Sequence, residues 1–418
     1  MKWFSLRQNR RRPALIAMAA LTTLMLAACS ANASSSSSSS SSAGPIKIGL
    51  GSVVIPGVYD SQVQFLAGIK AAEGYIKERG GWGGRTVQLV QCQSPGDPAS
   101  DLKCYHDFVG SQTVAVMGLL ENSPTYLQLL VKAHIPALML ASTPSEAQSS
   151  WEMSLPGIIE SYTAAAHYAC AKGLKHVAVF QQDLPTARVS EAAFAQGIFS
   201  KCGIQVNNVY MPLGTADPAP YIQKAVAGNP QLLFMSGQAA PITTFLNAFS
   251  TAGFPIDRVL TAPTSAPGWL SNPKAKGILL MARSGYPAPQ STDPDMQTFL
   301  KYMKKYSPGA DPAASLSLPA FEYMLMIWET GKAIGFSKLT GQAIHDYMNN
   351  VAPGHLKVFA GDGNVVIPAG WAGVKSPYQR ILQWTGSEFA DKGWWAGDWT
   401  CNSASTCTSL TPPPGSKP

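Results

Sequence analysis

The sequence predicts an α/β protein built as two doubly wound parallel-sheet lobes. Short apolar, β-branched runs alternate with longer amphipathic stretches, which is the rhythm of consecutive βα units. That rhythm halts over an irregular stretch from Thr143 to Ser161 and then restarts. Roughly 370 residues follow an amino-terminal serine tract, more than a single hydrophobic core usually holds. Hydrophobic residues make up 46% of the chain and charged residues 13%, so it can bury sizeable cores and lacks the composition of a disordered protein.

In the first half the expected strands are Ile46 to Leu50, Thr86 to Gln91, Val114 to Gly118 and Ala137 to Leu140. Between them fall expected helices at Val63 to Lys77, Pro98 to Val109 and Pro124 to His134. Val114-Ala115-Val116-Met117 and Leu138-Met139-Leu140 are unbroken apolar runs, as parallel strands covered on both faces require. After the irregular stretch, strands are expected at Val177 to Phe180, Val206 to Tyr210, Leu232 to Met235 and Val259 to Thr261. The helices between them lie near Ala187 to Lys201, Tyr221 to Ala227 and Ile242 to Ala252. Beyond Gly285 the pattern turns helical, near Pro294 to Tyr306, Ser317 to Ile334 and Thr340 to Val351, and ends in short strands at Lys357 to Phe359 and Tyr378 to Gln383. A tail of that kind cannot form a third lobe and is expected to complete the first two. Lobe I is then 46–162 with 286–352, and lobe II is 163–285 with 353–400. A disulfide loop and a disordered tail, 401–418, close the chain around Pro412-Pro413-Pro414.

The amino terminus carries an address. Lys2, Arg7, Arg10, Arg11 and Arg12 form a cationic segment, and Ala14 to Ala27 is an apolar run too short for an ordinary spanning helix. Leu26-Ala27-Ala28-Cys29 then reads as a lipobox, so residues 1–28 are expected to be removed and Cys29 to carry lipid. The alternative is an ordinary secretory signal with a chance cysteine. Arg11-Arg12 is followed by Pro13-Ala14, which fits a twin-arginine signal poorly. Residues 29–45, including nine serines from Ser34 to Ser42, are expected to form a flexible tether. The expected location is extracytoplasmic, lipid-anchored to the outer face of the cell membrane.

Removing residues 1–28 changes the balance from 31 basic and 24 acidic residues to 26 and 24. A surface so nearly neutral, without a basic cluster, gives no case for nucleic acid. Of the 7 cysteines, lipidation of Cys29 leaves an even set outside the reducing cytoplasm, which points to disulfides. Proximity in sequence pairs Cys92 with Cys104 and Cys401 with Cys407, leaving Cys170 with Cys202. Metal binding is the rival reading, but no paired C-x-x-C is present and the 6 histidines are scattered.

No catalytic set stands out either. There is no G-x-S-x-G elbow, no phosphate loop and no H-E-x-x-H. Ser271-Asn272-Pro273-Lys274 has S-x-x-K spacing without the elements that normally accompany it. Gly80 to Gly84 follows a helix and precedes a strand, the reverse of a dinucleotide fingerprint, and reads as a turn. Trp394, Trp395 and Trp399 beside Cys401 and Cys407 suit a carbohydrate platform or, more simply, the cover of a core near a disulfide.

Several motifs in order resemble a known family: Ile46-Lys47-Ile48-Gly49-Leu50, Gly80-Gly81-Trp82-Gly83-Gly84-Arg85, Asp97-Pro98, Ala115-Val116-Met117-Gly118, and Ile135-Pro136 followed by Thr143-Pro144. Together they look like the type I periplasmic binding proteins, in the branch of leucine-isoleucine-valine and amide/urea binding proteins of ABC importers. The resemblance covers Ile46 to Trp399, and Cys92 with Cys104 is similar to a pair common in actinobacterial members. It implies two lobes joined by three crossovers that close on a small solute. It also implies a non-enzymatic protein without cofactor or metal. Its partners would be a small-molecule ligand and a membrane permease, and a monomer is expected. The same fold used as a ligand-sensing module coupled to a membrane receptor is one alternative, and a secreted hydrolase is another.

Open α/β sheets bind ligands beyond the carboxyl ends of their strands. Asn122-Ser123-Pro124 follows the strand at Val114 to Gly118, with Ser123 suited to cap a helix and Pro124 to begin it. The resemblance implies that a ligand carboxylate is held by Asn122 and Ser123, by backbone near Ala141 and Ser142, and by Thr143. Tyr59 is similar in placement to an aromatic that packs on the ligand, although as a bare sequence feature such a residue is more often a partly buried loop tyrosine. In lobe II, Thr186-Ala187 stands where the family's amino-acid binders carry an aromatic and a glycine, and Gln238 to Pro241 stands where they place an acid. Thr186 and Gln238 are the expected ligand contacts there. A buried ammonium without a partner costs several kcal/mol. The expected ligand is therefore a small carboxylate, amide or neutral polar-aromatic solute, unless Asp183 supplies the missing charge.

Overall fold

The structure, a computed structural model, describes residues 44–56, 59–118, 125–155, 157–212, 214–236, 242–262, 269–282, 289, 291, 293–351, 372–373, 375 and 378–396. Cys29, the serine tract, Asn122, Ser123, Gln238, the strand expected at Lys357 to Phe359, Cys401 and Cys407 lie outside the described residues.

The first sheet is organised by β1 (Ile46–Ile55), which pairs in parallel with β3 (Val87–Ser94) on one side and β4 (Ala115–Gly118) on the other. β5 (Ala137–Leu138) continues beyond β4, and β2 (Tyr59–Asp60) folds back antiparallel on the end of β1. Alternation within β4 separates two cores. Ala115 and Met117 point to one face, with Phe65 and Ile69 of α1 (Ser61–Lys77) and with α10 (Pro294–Tyr306), α11 (Ser317–Ile334) and α12 (Gly341–Asn350). Val116 points to the other, with Tyr105 and Phe108 of α2 (Pro98–Gly110) and Leu130 of α3 (Tyr126–Lys132). Covering both faces in this way is what the unbroken apolar runs require.

The helices start where side chains can satisfy their first amides. Asp97 accepts from the amides of Ala99 at 3.0 Å and Ser100 at 2.9 Å ahead of Pro98, and Asp293 accepts from the Met296 amide at 2.8 Å ahead of Pro294.

The second sheet has the strand order β12-β11-β10-β9-β8-β6-β7. β6 (His176–Gln182), β7 (Gln205–Met211), β8 (Leu232–Ser236), β9 (Val259–Thr261) and β10 (Leu279–Ala282) are parallel. The hairpin of β11 (Tyr378–Trp384) and β12 (Phe389–Ala396) adds antiparallel to β10. Val177, Val179 and Phe234 face α5 (Ile158–Ala171), while Ala178, Phe180 and Met235 face α8 (Ala219–Val226) and α9 (Ile242–Thr251). The chain thus passes between the two sheet systems three times: between β5 and α5, between β10 and α10, and between α12 and β11. The carboxyl-terminal third builds no third lobe and instead completes the other two.

Some expectations need correction. The stretch from Thr143 to Ser161 is not irregular throughout, since α4 (Pro144–Gln148) lies in it and α5 begins at Ile158. α5 shows no polar stripe because nearly all of it is buried, down to Glu160 and His167, so its periodicity is invisible. Tyr59 lies in β2 rather than in a loop, and the strand expected at Ala137 to Leu140 ends at Leu138. The helix expected at Ala187 to Lys201 begins earlier and is broken: α6 (Pro185–Glu191) and α7 (Gly197–Lys201) flank a π-helical turn over Ala192–Gln196. Gln196 donates its side-chain amide to Glu191, five residues back, which matches the wider π repeat. The sequence pattern also misses β10 and β12.

Two disulfides match the proximity pairing among the described cysteines. Cys92–Cys104 ties β3 to α2 with the Cα atoms 5.5 Å apart, and Cys170–Cys202 ties α5 to the end of α7 at 5.7 Å. The second closes a loop of sequence separation 32, so the double variant Cys170→Ala, Cys202→Ala should lose about 3–4 kcal/mol of unfolding free energy in a urea titration.

Candidate functional site

In both sheets the first parallel strand lies between the second and the third, so the carboxyl ends of β1 with β4, and of β6 with β8, are topological switch points. In the first sheet this edge is bare backbone. Gly118, at φ +147°, lies opposite Gly51, and a Cβ there would come within 2.1 Å of the Gly51 carbonyl oxygen. Tyr59 is half-buried beside this edge and packs against both hydrophobic clusters of lobe I.

Beyond β5 the chain enters the first crossover, where Ala141, Ser142 and Thr143 stand. Thr143 caps α4, and Glu146 closes a capping box with it. The box is larger than usual: one oxygen, Glu146 Oε2, accepts from the Ser142 amide at 2.7 Å, the Thr143 amide at 2.9 Å and the Ser142 hydroxyl at 3.0 Å. The Ala141 amide donates to Ser154 Oγ at 2.8 Å. The backbone donors of Ala141, Ser142 and Thr143, which the family resemblance assigns to a ligand carboxylate, are therefore held by groups of the protein itself. Only the Thr143 side chain in this group is partly exposed; Ala141, Ser142 and Glu146 are buried.

In the second sheet, Gln181, Gln182 and Asp183 lead into α6. Asp183 accepts from Arg188 Nε at 2.8 Å, and the Arg188 guanidinium lies 3.7 Å over the Tyr210 ring. The buried Glu191 takes hydrogen bonds from neutral donors: Tyr210 at 3.3 Å, Asn208 at 3.2 Å and Gln196. Burial and the neighbouring Glu191 push the Tyr210 phenol above its ordinary pKa. Behind them Tyr162 donates to Gln181 inside the core, where burial raises its pKa as well. Asp183, the acid with a claim on a ligand ammonium, is thus committed to Arg188. Thr186 is half-buried, and its carbonyl accepts from Ser190 Oγ at 2.8 Å. The same hydroxyl contacts the Ser142 carbonyl, which ties α6 of lobe II directly to the first crossover.

The third crossover threads against the first. The Gly373 amide donates to the Ala147 carbonyl at 2.8 Å, the Ser154 amide to the Gly373 carbonyl at 2.8 Å, and the Lys375 amide to the Ser154 carbonyl at 2.8 Å. A Cβ on Gly373 would sit 2.3 Å from the Glu146 carbonyl oxygen, so only glycine fits. The Lys375 ammonium is fully buried and donates to Asn349 Oδ1 of α12 at 2.9 Å and to the Ala372 carbonyl at 2.6 Å. On the outer side Trp151 stacks on His345 of α12 at 4.0 Å, and Ser150 Oγ meets His345 Nε2 at 3.0 Å. The structure therefore assembles a hinge cluster of Ser154, Gly373, Lys375 and Ser190 that no sequence motif marks. Glu146 did have a signal, the T-x-x-E spacing from Thr143.

Burial pushes the Lys375 ammonium down to about 7, against the attraction of the buried Glu152. Between that value and the ordinary lysine pKa the unfolded chain binds a proton that the folded chain does not, so stability from this group is lowest below about pH 7 and rises with pH above it. The unfolding free energy of the wild type, relative to Lys375→Met, should rise by about 1 kcal/mol per pH unit from roughly pH 7 to 10 in denaturant titrations.

Residues 45–366 match the family model described as periplasmic binding protein, a span that takes in every parallel strand of both sheets. No curated protein matches the sequence. Among solved structures, the chain is similar to a possible leucine/isoleucine/valine-binding protein from Rhodopirellula baltica, with TM-score 0.68 and 14% identity over 84% of this chain and 96% of that one. It is similar to a solute-binding protein of an ABC transporter from Rhodopseudomonas palustris in complex with p-hydroxybenzoic acid, with TM-score 0.66 and 19% identity over 85% and 98% of the two chains. A leucine-, isoleucine-, valine-, threonine- and alanine-binding protein from Brucella ovis, in a closed conformation, gives TM-score 0.65 and 16% identity over 90% and 99%. At such identities the likeness is one of fold. The family match over most of the chain, with the two-lobed architecture and its three crossings, places the chain in the periplasmic binding protein family, with the type I fold.

Proposed function

We propose that the protein is the lipid-anchored receptor of an importer. In this reading Cys29 carries the lipid, the serine tether holds a monomeric two-lobed body near the membrane, and a permease receives the captured solute. The ligand binds between the carboxyl-end rims of the two sheets, against Tyr59, Thr143 and Thr186, with Asn122, Ser123 and Gln238 completing the site. It is a small carboxylate, amide or neutral polar-aromatic solute without a free ammonium.

The observation that carries the ligand class is the commitment of the acids on the second rim. Asp183 is paired with Arg188, and the buried Glu191 is hydrogen-bonded by Tyr210, Asn208 and Gln196 behind it. An ammonium drawing on Asp183 would compete with Arg188, and a buried cation without its partner costs several kcal/mol, enough to erase a micromolar affinity. Two solved relatives of this fold contain 4-hydroxybenzoate, which supports small aromatic solutes as a class worth testing.

Two outcomes are expected. In a thermal-shift screen followed by calorimetry, members of a benzoate and benzamide panel should raise the melting temperature, as a ligand that binds only the folded state does, whereas leucine, isoleucine and valine should not. Tight binding of any of the three amino acids would overturn the ligand class. Cys29→Ser should release the protein from the membrane fraction and abolish incorporation of a fatty-acid label.

A further inference from the structure

The cations of lobe I gather at the end where the chain enters. Arg85 fixes that entry: its Nε donates to the Gly44 carbonyl at 2.9 Å and its Nη1 to the Phe336 carbonyl at 2.6 Å. The loops at the amino ends of β1, β3, β4 and β5 are tied together there. Lys47 Nζ donates to the Ser111 carbonyl at 3.2 Å, Trp328 Nε1 to the Gly81 carbonyl at 2.8 Å, and His134 Nδ1 meets Gln342 Oε1 at 2.7 Å. Residues 44–47, 76–86, 110–114, 131–136 and 329–342, which build this end, hold seven lysines and arginines but only two acids, Glu78 and Glu329. Both acids are already paired, Glu78 with Lys305 at 2.6 Å and Glu329 with Lys332 at 2.8 Å. Lys77, Lys132 and Lys338 are exposed and stand in no ion pair among the described residues. The opposite end of the lobe has the other sign: the segments after β1, β3 and β5 hold Asp60, Asp97 and Glu146, and over residues 56–62, 95–101 and 139–150 there is no lysine or arginine.

No run of cations shows along residues 29–418, whose charges nearly cancel; folding makes the field by bringing distant segments to one face. Building on the lipid-anchored reading above, we infer that this face is a docking surface for anionic lipid headgroups, which holds lobe I with its chain-entry end toward the membrane and its rim away from it. Gly44 follows Cys29 by about 15 residues, a reach of at most about 50 Å at full extension. Because the anchor joins the body here, this is the face kept near the headgroups. Each cation within about 10 Å of an anionic surface strengthens binding by about fivefold, and salt screens the effect. A contact of that kind orients the lobe and still releases it. Cations at helix carboxyl ends also offset the helix dipole, and lobe II has them too: Lys201 ends α7 and Lys224 lies in the last turn of α8. In lobe I, however, the chain enters among the cations, and Arg79, Arg85 and Lys338 lie beyond the last turns of α1 and α11.

The test uses the Cys29→Ser protein, residues 29–418, which has no lipid of its own, in sedimentation with vesicles. One set is phosphatidylcholine alone, and the other is two parts phosphatidylcholine to one part phosphatidylglycerol. At low salt the protein should bind the anionic vesicles about tenfold or more tightly than the neutral ones, and the difference should shrink as salt is raised. Lys77→Gln, Lys132→Gln and Lys338→Gln together should lose about tenfold or more of that binding, whereas the matched lobe II set, Lys175→Gln, Lys201→Gln and Lys224→Gln, should stay within about threefold. All six side chains are exposed, so both variants should keep the circular dichroism and melting temperature of the parent. Equal binding to the two kinds of vesicle would overturn the inference, as would an equal loss in the two triple variants. Retention on a soluble polyanion without vesicle binding would overturn it too, by assigning the face to a polymer. The anchor is tested separately by the fatty-acid label on the wild type: a labelled protein whose Cys29→Ser form ignores anionic vesicles refutes the docking surface alone, and an unlabelled wild type refutes the anchored reading on which it rests.

Discussion

The relation between the two lobes depends on one backbone contact, the passage of Gly373 between α4 and Ser154. Its amide and carbonyl are both bonded to the first crossover, and its missing side chain is what lets the two strands of chain lie that close. Around this point the molecule gathers its costliest groups. Lys375 and Glu152 are buried within a few residues of it, and Glu146 is sealed beside it. Buried polar groups of this kind are tolerated only where hydrogen bonds compensate them, and they fix geometry more than they add stability.

The rims inherit their electrostatics from that construction. Among the described residues, Asp183 pairs with Arg188, Glu191 with three neutral donors, and Glu146 with the amides of its own crossover. Beside them stand the partly exposed side chains of Thr143, Thr186 and Tyr59.

Much of the architecture was legible in the sequence because it follows from local chemistry. Asp-Pro at residues 97–98 and 293–294 marks helix starts, and both helices begin there. The unbroken run at Val114 to Met117 marks a strand with two covered faces, and β4 divides its side chains between two cores. α10 and α11 coincide with their expected limits: Asp293-Pro294 opens the first, and Gly335, in the left-handed region at φ +90°, closes the second. α5 was not legible, since burial on all sides removes the polar stripe by which a helix is recognised. The candidate site was only partly so. Thr143 is where a capping residue should be, but its spacing from Glu146 shows a box and not which amides that box consumes.

By itself the sequence determined the fold class, the two-sheet organisation and the pairing of Cys92 with Cys104, because periodicity, capping and proximity act over a few residues. Only the tertiary structure decided which charges neutralise one another and what fills the donor corner at Ser142 and Thr143. Those outcomes depend on residues brought together from distant parts of the chain, Ser142 with Ser190 and Ser154 with Lys375, by three crossings whose geometry no local pattern encodes.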